Sequence, residues 1–373
     1  MKNIFMLVNY SPNDRTIGIT KKICGQIKAL KSLGYVVYYS CYTENGVAVC
    51  NDCDEIIESI TFNFYSKTFS QILRFDLLLK NVFKFITFTD LKFDFCYGRI
   101  SAPTRNYLNV LEAFHRIGAK VIIEALSYFP GVKPMTMKSR FIWFFINKNK
   151  ADLKIYIDKI ITEGTVNDFF GIPSEKGLIG IDMDSLPKYQ YLGDKNELNL
   201  ISVANEREYH GYDRLIKSLK AHIKKGSDLK VIIHFVGNLK YRTKLLVDES
   251  IAHNIVMYGR LYGEKLYEVY NNCNLGVGPL GQHRIGGKKD TGLKTKEYLG
   301  LGLPYIYSGK EEDLPEDFPY IYQVNADESM LDFDNIWKFY CTIKEDPFYS
   351  NKIRGIASKV FSWDNIMKKA LEI

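Results

Sequence analysis

The feature that most constrains the fold is an alternation of short apolar segments with amphipathic ones, which occurs twice along the chain. In the first series, IFMLVNY (Ile4 to Tyr10) precedes a segment with helically spaced apolar residues that stops at Gly34, and VVYYSCYT follows. FDFCYGR, VIIEAL and KIITEG continue the series. Strands that alternate with helices in this way predict a parallel sheet covered by helices on both faces.

A second series begins at Leu198 with LNLISVA. LKVIIHFVG, NIVMYGR, NLGVGPL and PYIYS follow as further strands, each separated from the next by a segment with helical periodicity. A chain of 373 residues exceeds the size at which a single core stops growing, about 250 to 300 residues. The intervening segment GLIGIDMDSLPKYQYLGDKNE is rich in Gly, Asp and Pro and is typical of a linker. We therefore predict an α/β protein with two doubly wound domains, residues 1–185 and 186–360.

Composition excludes several classes of protein. Hydrophobic residues make up 46% and charged residues 25%, the balance of a globular chain. The seven cysteines are scattered and odd in number, which favours a reducing compartment, and no apolar run approaches the length of a membrane span. The net charge of +7 is spread without a nucleic-acid-reading motif. We expect a cytoplasmic protein that binds an anionic small ligand or lipid head group rather than nucleic acid.

The segment DTGLKTKEYLGLGLPYIYSG, which starts at Asp290, carries the strongest chemical signal. A polar loop leads into a helix that we expect to start near Gly292 and Leu293. The free amide groups and positive dipole at a helix start suit a diphosphate, and Lys294 and Lys296 add charge. Glu297, about one turn further on, has the two acceptor oxygens that a ribose diol requires.

This segment resembles the signature of retaining GT-B glycosyltransferases of family four. That signature has two acidic residues eight apart around a Gly-Leu pair, followed by a small residue, Gly, a variable residue and Pro. The residues that match in register are Gly292, Leu293, Glu297, Gly302 and Pro304. Lys289 occupies the first acidic position, so the neighbouring Asp290 is our first catalytic candidate, as the acid that contacts the donor sugar. The resemblance implies two Rossmann-like domains facing across a cleft, with the nucleotide diphosphate sugar as co-substrate and no other cofactor.

A second similarity covers SVANEREYHGYDRLIKSL, from Ser202. It resembles the family segment in which an Arg and a Lys-Gly pair bind the donor phosphates; here Asn205 and His210 stand in those two positions and Gly211 matches. We predict a catalytic phosphate contact for His210, with a helix-capping role as the alternative. The turns at Gly237 and Gly259 resemble those that border the nucleotide base. The complete predicted donor-binding set is Asn205, Arg207, Gly211, Gly237, Gly259, Arg284, Thr291, Gly292, Leu293, Lys294 and Glu297.

The acceptor side is predicted in the N-terminal domain, where VIIEALSYFP and FDFCYGRI resemble segments of capsule and lipopolysaccharide glycosyltransferases. Glu124 is our third catalytic candidate; the alternative is a carboxylate that pairs with a basic residue to brace a loop. Tyr97 and Arg99 are acceptor-side candidates. Gly18 either lets the backbone approach a ligand or is simply a helix-entry glycine. The C-terminal FSWDNIMKKAL is similar to the family helix that returns to the first domain, so we assign 361–373 there.

Together these features predict a metal-independent, retaining, hexosyltransferase-like enzyme in surface polysaccharide synthesis. It would move a sugar from a nucleotide diphosphate sugar to a glycan or lipid-linked acceptor. The alternatives are a nucleotide-sugar epimerase of the same architecture and a non-catalytic sugar-nucleotide-binding protein. SRFIWFFINKNKADLK mixes aromatic and basic residues and predicts either peripheral contact with the inner face of the membrane or a core helix with a solvated end.

Overall fold

The structure is a computed structural model that describes residues 1–12, 18–62, 69–125, 137–162, 168–177, 179–194, 196–285, 292–309, 311 and 313–372. The chain forms two compact units. Unit 1 comprises Met1–Gly180 and Trp363–Ile373, and unit 2 comprises Ile181–Ser362. Unit 2 contains a parallel sheet and unit 1 a mainly parallel one, both with flanking helices, which confirms the predicted α/β fold class.

The described strands of unit 1 form one sheet in the order β4-β3-β2-β1-β5-β6-β7-β9-β8. Their bounds are β1 Asn3–Leu7, β2 Val36–Thr43, β3 Gly46–Cys50, β4 Ile56–Thr61, β5 Phe95–Arg99, β6 Lys120–Glu124, β7 Lys159–Thr162, β8 Asp168–Phe169 and β9 Ile172–Lys176. Strands β2, β3 and β4 pair antiparallel, and so do β8 and β9. These antiparallel extensions differ from the wholly parallel sheet that the sequence predicts, because Gly46 lies in a tight connection that leaves no room for a crossover helix.

Helices cover both faces of the sheet in unit 1. They are α1 Gly18–Ser32, α2 Phe69–Phe88, α3 Arg105–Arg116, α4 Met137–Lys148, α5 Lys150–Tyr156 and, from the end of the chain, α12 Trp363–Ala370. Successive residues of a strand point to opposite faces. Accordingly Phe5 packs into the core on one side of the sheet, while Ile4 and Met6 pack into the core on the other side.

Trp363 anchors α12 in unit 1. Its indole is buried in the same core as Ile23 of α1 and lies against two glycines. A Cβ atom on Gly25 would lie 2.4 Å from Cδ1 of Trp363, and one on Gly180 would lie 2.5 Å from Cδ2. Because real Cβ atoms do not approach other atoms so closely, both positions require glycine.

The described strands of unit 2 form a parallel sheet in the order β12-β11-β10-β13-β14-β15. Their bounds are β10 Glu197–Val203, β11 Lys230–Val236, β12 Ile255–Gly259, β13 Leu275–Val277, β14 Tyr305–Tyr307 and β15 Ile321–Gln323. The helices are α6 Tyr212–Lys225, α7 Tyr241–Lys244, α8 Glu264–Asn271, α9 Leu293–Leu301, α10 Phe333–Lys344 and α11 Tyr349–Phe361. Among the helices described in the two units, none has both the length and the apolar character that crossing a bilayer needs.

The order of strands in unit 2 places a crevice beside β10. From β10 the chain builds outward through β11 and β12, and it then returns to the other side of β10 to add β13, β14 and β15. Connections that leave neighbouring strands in opposite directions open a gap at their carboxyl ends, where ligands of open α/β sheets bind. The carboxyl ends of β10 and β13 are therefore where a site in this unit is expected.

A pair of helical glycines tests the packing of Trp363. We expect Gly25→Ala to lower the free energy of unfolding by about 1 to 3 kcal/mol, because the added methyl group overlaps the indole. Gly355 of α11 is exposed, and a Cβ atom added there would have no neighbour within 4 Å, so Gly355→Ala should instead raise stability by about 0.5 to 1 kcal/mol through helix propensity. Chemical denaturation measures both, and equal effects of the two substitutions would contradict the packing argument.

Candidate functional site

A pocket of about 470 Å³ lies at the carboxyl ends of β10 and β13 in unit 2. It occupies the point where the strand order reverses, as the topology requires. The described residues that line it are Ser202, Val203, Ala204, Asn205, Arg207, Tyr209, His210, Tyr212, Val277, Gly278, Pro279, Gln282, Ile285, Gly292, Leu293, Lys294 and Tyr298. Five of the predicted donor-binding residues meet here, together with the catalytic candidate His210: they are Asn205, Arg207, Gly292, Leu293 and Lys294.

The wall of the pocket consists of two loops that are hydrogen-bonded to each other. The Leu280 amide donates to the His210 carbonyl over 3.1 Å, and the Gly281 amide donates to the Tyr209 carbonyl over 2.9 Å. Arg214 of α6 is buried and donates to the carbonyl oxygens of Leu280 and Asn325 at 2.8 and 2.9 Å. These bonds fix the two loops relative to β10 and β13.

The N-terminus of α9 opens onto the pocket. Gly292 is the N-cap residue and offers no side chain to bond the first amides of the helix. The N–H groups of the first turn and the positive end of the helix dipole therefore favour an anionic ligand. Lys294 lines the pocket, and its Nζ lies 2.7 Å from Oε2 of Glu297, whose side chain is 13% exposed. Glu297 itself is not among the lining residues.

Lys296 differs from Lys294 although only Thr295 separates the two. Lys296 is buried, forms an ion pair with the buried Glu311, and lies 4.6 Å from the centre of the Phe361 ring. The sequence predicts the same role for both lysines beside the diphosphate, but Lys296 points into the core of unit 2. Of the two, Lys294 is the one that lines the pocket.

His210 is held as a neutral imidazole. Its Nδ1 accepts the backbone N–H of Arg207 over 3.0 Å, and its ring stacks on Tyr212 with 5.3 Å between ring centres. Burial, with smaller contributions from the charges of Arg207 and Lys240, lowers the pKa of His210 to about 4. A neutral ring that accepts at Nδ1 carries its proton on Nε2. His210 is thus a hydrogen-bond donor at neutral pH.

Asn205 holds two loops together as well as lining the pocket. Its Oδ1 accepts the backbone N–H of Asn238, 3.2 Å away in the loop after β11. Gly237, just before, has φ +121°, and a Cβ there would lie 2.2 Å from the Ala204 carbonyl oxygen. Gly237 and Gly259 lie outside the pocket lining, so their predicted contact with a nucleotide base stays a prediction. Gly211 also lies outside the lining.

Arg284 is engaged by two carboxylates. Its Nη1 lies 2.6 Å from Asp213 of α6, and its Nη2 lies 2.7 Å from Glu328. The hydrogen bonds to Glu328 and Asp213 raise the pKa of Arg284 above its ordinary value. The guanidinium braces the short 3-10 helix that carries Gln282 and Ile285 to the pocket. Its predicted phosphate contact would have to compete with both carboxylates.

The charge of the pocket favours an anion. Arg207 and Lys294 are cationic, His210 presents a donor, and no Asp or Glu occurs among the described residues that line the pocket. Asp290 and Thr291, which the sequence predicts beside the donor sugar and diphosphate, lie outside the described residues. A small molecule with a negatively charged group is the ligand that these side chains can bind.

Glu124 of unit 1 is the centre of a buried hydrogen-bond cluster. Its Oε1 accepts from Gln26 at 2.6 Å and from the Tyr97 hydroxyl at 2.7 Å, while its Oε2 lies 2.6 Å from Lys22. Arg99, which pairs with Glu124 across β5 and β6, lies 3.9 Å from Oε2. Burial opposes ionisation of this carboxyl, but the charge and hydrogen bonds of Lys22, with help from Tyr97 and Arg99, lower the pKa of Glu124. Both carboxylate oxygens of Glu124 therefore have hydrogen-bond or ion-pair partners, as expected of a carboxylate that holds neighbouring side chains in place.

The other acceptor-side candidates surround this cluster or lie near it. Tyr97 is buried, and its burial together with Glu124 raises the pKa of its hydroxyl. The side chain of Arg99 is 35% exposed and can still reach a ligand. Gly18 is the first residue of α1, a position that agrees with its interpretation as a helix-entry glycine and leaves a ligand contact as a prediction.

Several residues at the site were not singled out from the sequence, among them Tyr209, Gln282 and Arg214. Tyr209 and Gln282 line the pocket, and Arg214 holds its two loops. The role of Arg214 could have been predicted from the sequence. Helix α6 is amphipathic, and this charged residue falls on its buried face beside Leu215. Tyr209 and Gln282 lie in 3-10 helices of three and four residues, which are too short for a periodic pattern to mark the inward-facing side.

No protein-family model matches this sequence, and no curated protein matches it significantly. Solved structures do. A glycosyltransferase from Rickettsia africae ESF-5 is 15% identical, with 100% of this chain and 97% of that one covered and a TM-score of 0.65. The catalytic domain of starch synthase IV from Arabidopsis thaliana, bound to ADP and acarbose, is 10% identical, with 100% and 99% covered and a TM-score of 0.58. The lipopolysaccharide outer core galactosyltransferase WaaB is 12% identical, with 100% and 99% covered and a TM-score of 0.57.

At these identities the likeness is one of fold. It extends over the whole chain and includes both Rossmann-like units. The chain has the GT-B fold.

Proposed function

We propose that this protein is a glycosyltransferase that uses a nucleotide diphosphate sugar as donor and binds it in the pocket of unit 2. The observation that supports this most directly is the pocket itself. It lies at the switch point of a parallel sheet, it joins the open N-terminus of α9 to Arg207 and Lys294, and its described lining contains no acidic residue. Diphosphate groups bind at such helix starts. The GT-B fold is consistent with the proposal.

In the proposed complex the diphosphate contacts the first amides of α9, with Lys294 and Arg207 beside it. The ribose diol bonds to Glu297, whose carboxylate already fixes the Lys294 ammonium at 2.7 Å. The base lies toward Gly237 and Gly259, and the sugar toward Asp290. A solved structure of the same fold contains ADP, which is the class of ligand proposed for this pocket.

The proposed catalytic contribution is stabilisation of the departing diphosphate. Charge develops on that group as the bond to the sugar breaks, and donors that are already oriented stabilise it without reorganisation. Arg207, Lys294 and the Nε2–H of His210 can supply this stabilisation, so we propose a reaction that needs no metal ion. Retention of the anomeric configuration is proposed from the similarity of the Gly292–Pro304 segment to retaining enzymes.

We propose a glycan or lipid-linked acceptor and a role in surface polysaccharide synthesis at the inner face of the membrane. One of the solved structures with this fold is a lipopolysaccharide galactosyltransferase. In unit 1, Arg99 is the partly exposed member of the Glu124 cluster and is the residue of that cluster that we assign to acceptor contact.

The first test is nucleotide binding by thermal shift, with UDP, ADP and GDP, their nucleosides and the matching sugar nucleotides. At least one diphosphate should raise the melting temperature, because a ligand that binds the folded state stabilises it. Lys294→Met should weaken diphosphate binding about tenfold by removing a charged contact, and should leave nucleoside binding unchanged. Lys224→Met, at an exposed position near the end of α6, is the matched control. Absence of stabilisation by every nucleotide would refute the assignment.

Glu297 is tested through the ribose. The wild-type protein should bind the preferred nucleoside diphosphate more tightly than its 2′-deoxy analogue, because the carboxylate accepts a bond from each hydroxyl. Glu297→Ala should abolish that preference. A variant that still distinguishes the two ligands would show that the diol is recognised elsewhere.

His210 yields a pH prediction. Since the pKa of His210 is about 4, below the 6.5 of a free histidine, the ring stays neutral and its donor is retained from about pH 8 to about pH 5. Diphosphate affinity should therefore show no step near pH 6.5 from this residue. His210→Gln, which keeps an N–H donor, should retain most of the affinity, and His210→Leu should lose about tenfold. Equal losses in the two variants would contradict the donor role.

The substitution Glu124→Gln tests whether Glu124 is a catalytic residue or a structural carboxylate that holds neighbouring side chains in place. If Glu124 is a brace, the substitution leaves the buried Lys22 ammonium without its counter-charge and should cost about 3 to 5 kcal/mol of stability. The lowered pKa of Glu124 means that its contribution is complete above the pKa of the unfolded chain and is lost as the pH falls through the folded pKa. Denaturation from pH 7 to pH 3 should show a smaller acid-dependent loss in the variant. A variant of unchanged stability that has lost sugar transfer would instead support the catalytic alternative.

A further inference from the structure

Gln282 is a buried polar residue of the pocket whose side chain has no partner among the described residues. It begins the short 3-10 helix that follows β13, it is 5% exposed, and it lines the pocket of unit 2. Its carboxamide has two N–H donors and an acceptor oxygen, yet it makes no hydrogen bond with a described residue. The amide therefore borders the space assigned to a ligand with its hydrogen-bonding capacity unused.

Two other neutral polar side chains of the lining already have protein partners. The Ser202 hydroxyl donates to the hydroxyl oxygen of Tyr212 over 2.9 Å, and the amide oxygen of Asn205 accepts the Asn238 N–H over 3.2 Å. Gln282 differs from both. A buried amide without a partner is unfavourable, and a ligand that supplies the partner recovers that free energy on binding.

The backbone around Gln282 is held in place on both sides. On one side, the Gly281 N–H donates to the Tyr209 carbonyl over 2.9 Å, which ties this loop to the one before α6. On the other side, Arg284 pairs with two carboxylates. A ligand that binds Gln282 consequently orders one side chain and not a loop, which keeps the entropic cost of the contact small.

Gln282 lies away from the position proposed for the nucleotide base. The base is assigned toward Gly237 and Gly259 at the carboxyl ends of β11 and β12, whereas Gln282 follows β13 on the other side of β10. The diphosphate and the ribose are assigned to α9, with Lys294 and Arg207 beside the diphosphate. Charged donors bind phosphate more strongly than a neutral amide does. The sugar is the part of the donor that is left for Gln282.

We infer that Gln282 is a specificity-determining residue that binds one hydroxyl group of the donor sugar. A hydroxyl both donates and accepts, so it matches the carboxamide, whereas the oxygens of an ionised phosphate only accept. A site that hydrogen-bonds a substrate hydroxyl discriminates against an analogue without it, because the buried partner is then left unpaired. The inference rests on the proposed function and adds to it the group that selects the sugar. In a described lining without Asp or Glu, that group is a neutral amide.

The test compares sugar nucleotides that differ in one hydroxyl. UDP-glucose, UDP-galactose, UDP-N-acetylglucosamine, ADP-glucose and GDP-mannose are titrated into the full chain by calorimetry, followed by the 2-, 3-, 4- and 6-deoxy analogues of the one that binds most tightly. The wild type should bind one deoxy analogue about tenfold more weakly than its parent, the size expected for one lost hydrogen bond.

The substitution Gln282→Met keeps the length of the side chain and removes its N–H donors and carbonyl oxygen. The variant should bind the parent sugar nucleotide about tenfold more weakly than the wild type does, and it should no longer distinguish the parent from that deoxy analogue. Its affinity for UDP, ADP and GDP without a sugar should stay within about twofold of the wild type. Gln190→Met, at an exposed position, is the matched control and should bind every ligand as the wild type does.

The possible failures are distinguishable. If Gln282→Met binds the parent sugar nucleotide normally, or keeps the full penalty for the deoxy analogue, the inference is wrong and the proposed function stands. A wild type that binds the parent and all four deoxy analogues equally leads to the same conclusion. Weaker binding of UDP, ADP and GDP by Gln282→Met would show that the residue shapes the pocket and does not select the sugar. Absence of any nucleotide binding by the wild type would refute the donor pocket and the inference together.

Discussion

The geometry of the pocket depends on the burial of helix α9. Its Lys296 forms a buried ion pair with Glu311 and lies over the ring of Phe361. Taking two charges out of water is costly, and removal of either partner would leave the other uncompensated. The hydroxyl of Tyr298 on the same helix lies 3.3 Å from the carbonyl oxygens of both Ile201 in β10 and Val277 in β13. These contacts hold the start of α9 beside the two strand ends where the sheet order reverses, and the proposed diphosphate contacts of α9 follow from that position.

Several residues with the chemistry of ligand binding hold loops in place instead. Arg284 bridges Asp213 and Glu328, Arg214 bonds carbonyl oxygens of two loops, and Glu124 accepts hydrogen bonds at both oxygens. A cation between two carboxylates has little net charge left for a phosphate, and a carboxylate with four donors around it is a weak base. Among the described residues that line the pocket of unit 2, the groups available to an anionic ligand are Arg207, Lys294, the start of α9 and the neutral His210. The proposed chemistry therefore relies on fewer charges than the sequence suggests.

The fold could be predicted because the periodicity of apolar residues is local information. Helix α9 starts at Leu293, within one residue of the position expected from Gly292, because the capping glycine is visible in the sequence. The antiparallel strands β3 and β4 were missed, since GVAVC and IIESIT are short and their pairing depends on contact with β2. The roles of Lys294 and Lys296 could not be separated either, because both follow the same loop and only the packing of α9 decides which one is buried.

The sequence by itself determined that two α/β units exist and that the segment after Gly292 begins a helix with an open N-terminus. It also carried the resemblance from which the donor class is proposed. Tertiary structure alone decided which charges face the pocket, which ones brace loops, and that Phe141 and Phe144 lie exposed while Ile142 and Ile146 fill the core. The physical reason is the separation along the chain over which each kind of interaction acts. Backbone periodicity and capping act between residues a few positions apart, whereas the burial and ionisation of a side chain depend on partners far along the chain, as with Lys22 and Glu124.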